Sequence, residues 1–281
     1  MHHLKKTILT AALAALLTTP IVTTSQLTPF EPVSSTTAAA KTVSRKTVTK
    51  AIKSTPDLNP TSKVRHFATK IYVAYYALFN KNYNVERMSK PGVFKHHQAT
   101  IYIPSDQLKK SGFVTAAMKN WNTALGTTVF RLGTAKNHTI TVALKQGPTS
   151  GNNSWDGYYK TNKVYVNSLL SSNADYVPAV YEDLTGQKMA SADDPSSTTY
   201  YEQYQKYWTA VITHELGHSL GLDHTPYAND MMASEFESAS SDFKYSWNNY
   251  KDKQASFAIL TDQLSTRDIN RAKLTKIIGY W

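Results

Sequence analysis

Apolar residues in the front part of the chain recur at intervals of three and four positions, which is the spacing of one face of an α-helix. The pattern predicts one amphipathic helix over about residues 62–80. Its apolar positions are Val64, Phe67, Ala68, Ile71, Tyr75, Leu78 and Phe79. An Asn-Lys-Asn run and a later Pro-Gly pair mark the end of this helical pattern.

From about residue 96 the chain alternates between short β-branched runs and longer helical patterns, which predicts a mixed domain of strands and helices. The predicted strands cover residues 100–103, 128–132, 139–144 and 164–166. The predicted helices cover residues 112–125, about 200–218 and 265–278. Ser265 precedes Asp268 by three residues at the start of the last helix, which is close to a capping box. We interpret the polar residues 168–200 as a long loop.

The first 25 residues have the order of a secretory signal. A basic start leads into an apolar run, from Ile8 to Leu17, that is too short to span a membrane, and Pro20 then interrupts it. We therefore expect an exported protein of bacterial type. Cleavage is expected near Ser25 or after the small residues 38–40.

Residues 26–62 are rich in Thr, Ser, Pro, Ala and Lys and contain few large apolar side chains. Such a segment cannot bury enough surface to offset the entropy lost on ordering, so we expect a disordered linker. The chain has no cysteine, so no disulfide stabilises the fold and no thiol can bind a metal ion.

The basic excess is confined to the front of the chain. The formal net charge is +11, and residues 1–95 hold 14 Lys and Arg against 3 Asp and Glu, whereas the remainder holds 17 of each. Basic residues 41–95 could hold an exported protein on an anionic cell wall or membrane surface by screened attraction. The alternative, of equal weight, is that these lysines only keep a linker soluble. We do not expect a nucleic-acid partner.

The strongest chemical pattern is the run His-Glu-Leu-Gly-His-Ser-Leu-Gly-Leu-Asp-His at residues 214–224. On a helix, His214 and His218 share one face and can bind one metal ion. Glu215 lies beside that face, where a carboxylate can act on a metal-bound water without binding the metal. Gly221 can end the helix, so that His224 returns as a third ligand. Three imidazoles leave the fourth position of a tetrahedral zinc for water, which is the catalytic arrangement.

The ordinary alternative is a solvated helix whose histidines face water. A bare His-Glu-x-x-His recurs by chance, but the added glycine and third histidine reduce the accident rate to about one in 10⁵ for a chain of this length. The pattern therefore indicates a zinc hydrolase.

This motif resembles the zinc signature of the metzincins, which also carry a Met-turn beneath the metal. Met232, eight residues after His224, is similar in position to the methionine of the matrixin branch, and Met231 is the alternative. The Leu-Gly-x-x-His form of residues 220–224 resembles the same branch. Weaker resemblances cover residues 99–103 as the first strand, 114–122 as the first long helix, and 264–269 as the start of the closing helix.

The resemblance implies an α+β fold over residues 96–281. It comprises a twisted, mostly parallel sheet with an antiparallel edge strand, a long active-site helix and a C-terminal helix. A basic, partly disordered segment with one amphipathic helix, residues 26–95, would precede it. In the family the edge strand lies antiparallel to the bound peptide, a role open here to the stretch from Trp155 to Tyr159 or to that from Val164 to Val166. Residues 234–253 would form a wall of the specificity pocket.

Matrixins often bind structural calcium, and some bind a second zinc, near loops such as residues 168–200. The histidines expected for a second zinc are missing from this loop, whereas structural Ca²⁺ stays a candidate. The alternative is that the acidic side chains of the loop face solvent. These are Asp175, Glu182, Asp183, Asp193 and Asp194.

The resemblance also raises the question of latency, because matrixin zymogens often place a prosegment cysteine on the zinc. This chain has no cysteine, so residues 26–95 could act as an inhibitory propeptide only through another ligand. The available groups are Asp57, Glu86, His66, His96 and His97, and no motif favours any of them.

We accordingly predict a zinc metalloendopeptidase that acts as a monomer on protein or peptide substrates. His214, His218 and His224 are expected to bind Zn²⁺, and Glu215 is expected to take a proton from the attacking water and pass it to the leaving amine. The two methionines are expected to support the site by packing. Asp223 is interpreted as a surface residue, with orientation of His224 as the alternative.

A second hypothesis is a cell-wall-associated adhesive protein that keeps a zinc-stabilised domain without turnover. The intact Glu215 argues against it, because a structural zinc site needs no base and fills its fourth position.

Overall fold

The structure is a computed structural model that describes residues 43–151, 154–189, 198–233 and 257–281. All of these belong to one unit, Val43–Trp281. The predicted signal segment, the first part of the predicted linker, the acidic residues Asp193 and Asp194 and the polar stretch 234–253 lie outside the described residues.

Five strands and ten helices follow one another in the described part of the chain. The strands are β1 Ala99–Tyr102, β2 Phe130–Leu132, β3 Ile140–Lys145, β4 Gly157–Lys160 and β5 Lys163–Asn167. The helices are α1 Arg45–Lys53, α2 Thr69–Ala74, α3 Tyr76–Tyr83, α4 Asp106–Ser111, α5 Phe113–Leu125, α6 Ser168–Ser171, α7 Tyr176–Thr185, α8 Thr198–Ser219, α9 Ala258–Thr261 and α10 Thr266–Ile278. None of these helices is long and apolar enough to span a bilayer.

The strands form one mixed sheet in the order β2-β1-β3-β5-β4. The pairs β1–β2, β1–β3 and β3–β5 are parallel, and β4 pairs antiparallel with β5 at the edge. The two-residue turn between β4 and β5 uses Thr161 and Asn162, both with positive φ, as this hairpin type requires. The predicted α+β fold, with a mostly parallel sheet and an antiparallel edge strand, is therefore confirmed.

The pairing also distinguishes the two candidates for the edge strand. Val164 and Val166 are fully buried in β5, which has a neighbour on each side. The edge strand is β4, which begins two residues after Trp155 and extends to Lys160.

Helix α8 packs between the sheet and α5. Many of its apolar side chains are fully buried, among them Trp208 and Ile212. The indole N–H of Trp121, on α5, donates to the carbonyl of Thr213 at 2.8 Å. This contact anchors α8 one residue before its first histidine. Helix α10 begins with the predicted capping box between Ser265 and Asp268.

The single helix predicted over residues 62–80 is wrong in its first half. The structure has α2 and α3 in its place, with a break at Tyr75. The Tyr72 hydroxyl donates to the carbonyl of Val64 at 2.8 Å and accepts from the backbone N–H of Phe67 at 3.1 Å. A side chain thus binds backbone groups that a helix would have paired, and residues 64–67 form a turn.

The predicted disorder is wrong for the described end of the linker. Helix α1 begins after Ser44, whose hydroxyl accepts from the backbone N–H of Thr47, and buries Val48 and Ile52. Two buried apolar residues, four positions apart, carry most of this packing, and the composition of the segment therefore did not predict it.

The long loop predicted over residues 168–200 is also partly wrong. Residues 168–171 and 176–185 form α6 and α7. Asn167 caps α6, and Val177 of α7 is fully buried in the main core. Leu170 of α6 is buried as well, so apolar positions spaced among polar residues carry the packing of this stretch.

Candidate metal centre

The first two histidines lie on consecutive turns of α8. His214 and His218 point to the same side of the helix, and their ring centroids are 4.8 Å apart. This arrangement follows from the 3.6-residue period, which places positions i and i+4 on one face.

The third histidine follows a sharp turn at Gly221, whose φ is +86°. A Cβ at this position would come within 2.7 Å of the Glu86 carbonyl oxygen and 2.8 Å of Tyr280 Cδ2. Glycine is therefore required both by the backbone conformation and by the available space. Beyond the turn, the ring of His224 lies 5.1 Å from that of His214 and 4.9 Å from that of His218.

The three imidazoles can meet one metal ion. One nitrogen from each ring belongs to a set whose members all lie within 4.8 Å of one another. The Nε2 atoms of His214 and His224 are 3.2 Å apart. Two ligands at about 2.0–2.1 Å from a tetrahedral zinc lie about 3.3 Å from each other, so this separation fits a shared ion.

Backbone carbonyls fix the tautomers of the two helical histidines. His214 Nδ1 lies 2.7 Å from the Met231 carbonyl oxygen, and His218 Nδ1 lies 2.7 Å from the Leu222 carbonyl oxygen. A carbonyl oxygen only accepts, so each Nδ1 carries the proton and each Nε2 presents its lone pair to the cluster. Both helical histidines therefore present an unprotonated Nε2 atom, which is the form that binds Zn²⁺, at a position that Zn²⁺ could share.

Burial keeps these rings neutral. It lowers the pKa of His214 to about 3 and that of His218 to about 4, and it lowers the pKa of His224 well below its ordinary value. The neighbouring rings lower the pKa of His214 and His224 further. Neutral imidazole is the form that binds a metal ion.

Glu215 is 5% exposed and lies beside the histidine cluster. Its Oε2 atom is buried and has no hydrogen-bond partner among the described residues. Burial raises the pKa of Glu215 to about 8, a hydrogen bond with the Tyr159 backbone lowers it, and the charge of Asp156 raises it. A Zn²⁺ ion on the adjacent histidines would favour the carboxylate and lower this pKa.

Met231 and Met232 lie in a turn that follows the third histidine, and they have different contacts. Met232 is fully buried, and its Sδ would lie 2.4 Å from a Cβ placed on Gly217, so sulfur fills the space against the helix between the two ligands. Met231 contacts His214 through its carbonyl oxygen. The Asp268 carboxylate accepts the Met231 N–H at 2.7 Å.

Asp223 has features of both predicted roles. Its side chain is 49% exposed and lies 3.9 Å from His224 Nδ1, whereas its Oδ1 accepts the backbone N–H of His224 at 2.7 Å. It therefore contacts the backbone of the third ligand more closely than the ring.

The edge strand β4 lies against the side of α8 that carries Glu215. A Cβ on Gly157 would lie 3.0 Å from Glu215 Cγ, so only glycine lets the strand approach this closely. The preceding Asp156 accepts hydrogen bonds from the hydroxyls of Tyr176 and Tyr207, each at 2.5 Å. The sequence did not predict this pair of hydrogen bonds, because the three residues come from a loop and two different helices and match no local motif.

Two of the groups considered for latency bind residues other than the triad, whereas the backbone of Glu86 pairs with the turn at Gly221. Asp57 accepts a hydrogen bond from the Tyr227 hydroxyl, and His97 Nδ1 lies 2.8 Å from the Trp281 carbonyl oxygen. In the ranges that the structure describes, the histidine triad is the only group of three or more His, Cys, Asp or Glu that could hold a metal ion.

This mixed sheet, with two histidines on one helix and a third beyond a glycine turn, defines a metalloprotease of the metzincin class. The family model of the matrixins matches residues 94–257, more than half of the chain, and the protein therefore belongs to the matrixin family. Catalytic zinc is typical of that family. No curated protein matches the chain.

Proposed function

We propose that this protein is a secreted zinc endopeptidase in which Glu215 moves the proton between the attacking water and the leaving amine. The observation that carries the proposal is the position of Glu215, one residue after the first histidine of a convergent triad, with a buried oxygen that no described group binds. A structural zinc site has no use for such a base.

The histidines would hold the ion through Nε2 atoms whose opposite nitrogens are fixed by backbone carbonyls. Bound Zn²⁺ supplies Lewis acidity, which lowers the pKa of water to about 7 and polarises a carbonyl group. Glu215 accepts a proton from the water that attacks the peptide carbonyl. It then delivers this proton to the nitrogen of the leaving amine, so the carboxylate is regenerated in each turnover.

The edge strand β4 would orient the substrate. In a two-residue hairpin the flanking residues, Lys160 and Lys163, form the hydrogen-bonded pair, so the backbone groups of Gly157 and Tyr159 point away from β5. A Cβ on Gly157 would lie 3.2 Å from Glu215 Oε1, so this edge runs beside the carboxylate. An extended peptide that pairs with this edge would therefore lie next to the catalytic carboxylate.

Glu215→Ala tests the proposal most directly. General-base catalysis typically contributes about 10²–10⁴-fold, so turnover of an unfolded protein substrate such as casein should fall at least 100-fold. The variant should retain stoichiometric zinc by metal analysis, because the three histidines remain. Glu202→Ala, the same substitution at an exposed position near the start of α8, is the control for handling and folding.

Two results would oppose the proposal. Cleavage by Glu215→Ala at the normal rate would remove Glu215 from the mechanism. A zinc-loaded, unmodified protein that cleaves no unfolded substrate would favour the alternative of a zinc-stabilised adhesive domain.

A further inference from the structure

The third histidine depends on contacts that the first two do not need. The backbones of His214 and His218 are held by the hydrogen bonds of α8. His224 lies beyond the helix, so other segments must hold its backbone. We infer that Asn84 is a positioning residue for His224 and that Arg271 in turn holds Asn84 in place. This inference rests on the proposed zinc function. Both residues lie outside the part of the chain that the family model matches.

Asn84 contacts the third ligand directly. Its side-chain Nδ2 donates to the His224 carbonyl oxygen at 3.2 Å, and its own carbonyl accepts the Asp223 N–H at 3.0 Å. The residue ends α3 in the left-handed conformation, with φ +47° and ψ +61°. Asn adopts this conformation more readily than most residues, and it also supplies the amide donor.

The next two residues extend this contact along the turn between the second and third ligands. Val85 forms an antiparallel bridge with Leu222, and the Glu86 N–H donates to the Gly221 carbonyl at 3.0 Å. The segment 84–86 therefore pairs with the whole turn 221–223, as a short added strand would.

Arg271 joins the two paired segments from α10. Its fully buried guanidinium donates from Nε to the Tyr83 carbonyl at 2.8 Å and from Nη2 to the carbonyls of Asn84 and Asp223. The planar, rigid fork of arginine suits three acceptors whose mutual positions must stay constant. Burial lowers the pKa of Arg271, and the nearby carboxylates of Asp268 and Asp230 oppose that shift.

These contacts distinguish a positioning role from a helix cap. A cap alone would need only the left-handed backbone of Asn84, which glycine also provides. The bond from Nδ2 to His224 serves the ligand and not the helix. Loss of the amide with retention of the backbone conformation should therefore change zinc binding more than the stability of the zinc-free protein.

The test uses the full chain with Asn84→Gly and Asn84→Asp. Both residues accept the left-handed conformation, and neither donates to the His224 carbonyl; the aspartate would repel it. His96→Gly is the matched control, because His96 also has positive φ, at +51°, in the same N-terminal part, but is exposed. The measurements are zinc affinity by chelator competition, the visible spectrum of the Co²⁺-substituted protein, and the melting temperature without metal.

We expect zinc binding to weaken about three- to tenfold in Asn84→Gly and at least as much in Asn84→Asp, as loss of one orienting hydrogen bond predicts. The Co²⁺ spectrum should shift as the coordination geometry relaxes, and His96→Gly should match the unmodified protein. If Asn84→Gly fails to fold, the zinc affinity and the Co²⁺ spectrum of Asn84→Asp test the inference.

Unchanged zinc affinity and an unchanged Co²⁺ spectrum in the folded variants would overturn the inference, whatever the melting temperature. An unmodified protein that binds zinc but cleaves no peptide would instead overturn the proposed function and leave the role of Asn84 intact. The two failures are therefore distinguishable.

Discussion

Asp268 Oδ2 lies 2.7 Å from the backbone nitrogen of Met231, whose own carbonyl oxygen lies 2.7 Å from His214 Nδ1. A buried carboxylate on the closing helix is thus linked to the first ligand through a single residue. The same oxygen accepts the Ser265 N–H at 3.1 Å, so the helix cap and the Met-turn share one acceptor.

Asp268→Asn should destabilise the protein by about 1–3 kcal/mol, the range for leaving a buried hydrogen-bonding group without its partner. It also places an amide where the backbone N–H groups of Met231, Met232 and Ser265 point, and it removes a carboxylate near the buried Arg271. Urea unfolding of the metal-free protein measures this loss, and zinc titration should show weaker binding because the carbonyl that orients His214 shifts. Asp183→Asn, at an exposed position of α7, should change neither quantity. Equal stability of Asp268→Asn and the unmodified protein would contradict this account.

The motif in residues 214–224 could be predicted from the sequence because its positions are close along the chain and obey helix geometry. The turn at Gly221 could be predicted as well, because the left-handed conformation at the end of a helix favours glycine. The capping box at Ser265 was local too, and the structure confirms it.

What the sequence could not predict involves residues far apart. Asn84 and His224 are hydrogen-bonded although they are 140 positions apart in the sequence, and Asp156 and Tyr207 are hydrogen-bonded although they are 51 positions apart. Nothing in the pattern near Asn84 distinguishes it from an ordinary helix end. The sequence did not predict helix α1 for a related reason. This helix is stabilised by burial against other elements and not by its own composition.

Removal of the metal should lower stability as well as activity. A chelator should abolish casein cleavage, and added Zn²⁺ should restore it, because ligands from two parts of the chain meet only in the folded state. Zinc at 100 times its dissociation constant should stabilise the protein by about 2.7 kcal/mol. His218→Ala should lose this zinc-dependent stabilisation. A melting temperature that is insensitive to zinc in the unmodified protein would count against the site.

Gly157→Ala should reduce turnover while the protein stays folded. The added methyl would lie 2.8 Å from Val211 Cγ1 and 3.0 Å from Glu215 Cγ, both on the rigid helix α8, so β4 or the catalytic carboxylate must move. A displacement of a few tenths of an ångström misaligns a general base, and we expect kcat/KM to fall about tenfold or more.

The double variant Gly157→Ala/Val211→Ala provides the control. It relieves the contact with Val211 and leaves that with Glu215, so recovery should be partial. Full activity of Gly157→Ala alone would show that β4 can retreat without affecting the carboxylate.

We expect the active enzyme to retain the residues from α1 onward, although the sequence allowed residues 26–95 to be a removable propeptide. Val48, Val64 and Phe79 are fully buried in the main core, and their removal would expose it. Asp57 accepts from Tyr227 and, through its carbonyl, from Arg267, so this segment also holds the loop after the third ligand.

N-terminal sequencing and intact mass of the peptidase-active form measure this directly. The active species should begin before Ser44, upstream of α1, where cleavage after the small residues 38–40 would place it. Glu215→Ala, produced in the same way, separates self-cleavage from cleavage by host proteases, because only self-cleavage requires the carboxylate. An active species that begins after Lys95 would show that the packed segment is dispensable. It would also be incompatible with the positioning role of Asn84, since that species would lack the residue.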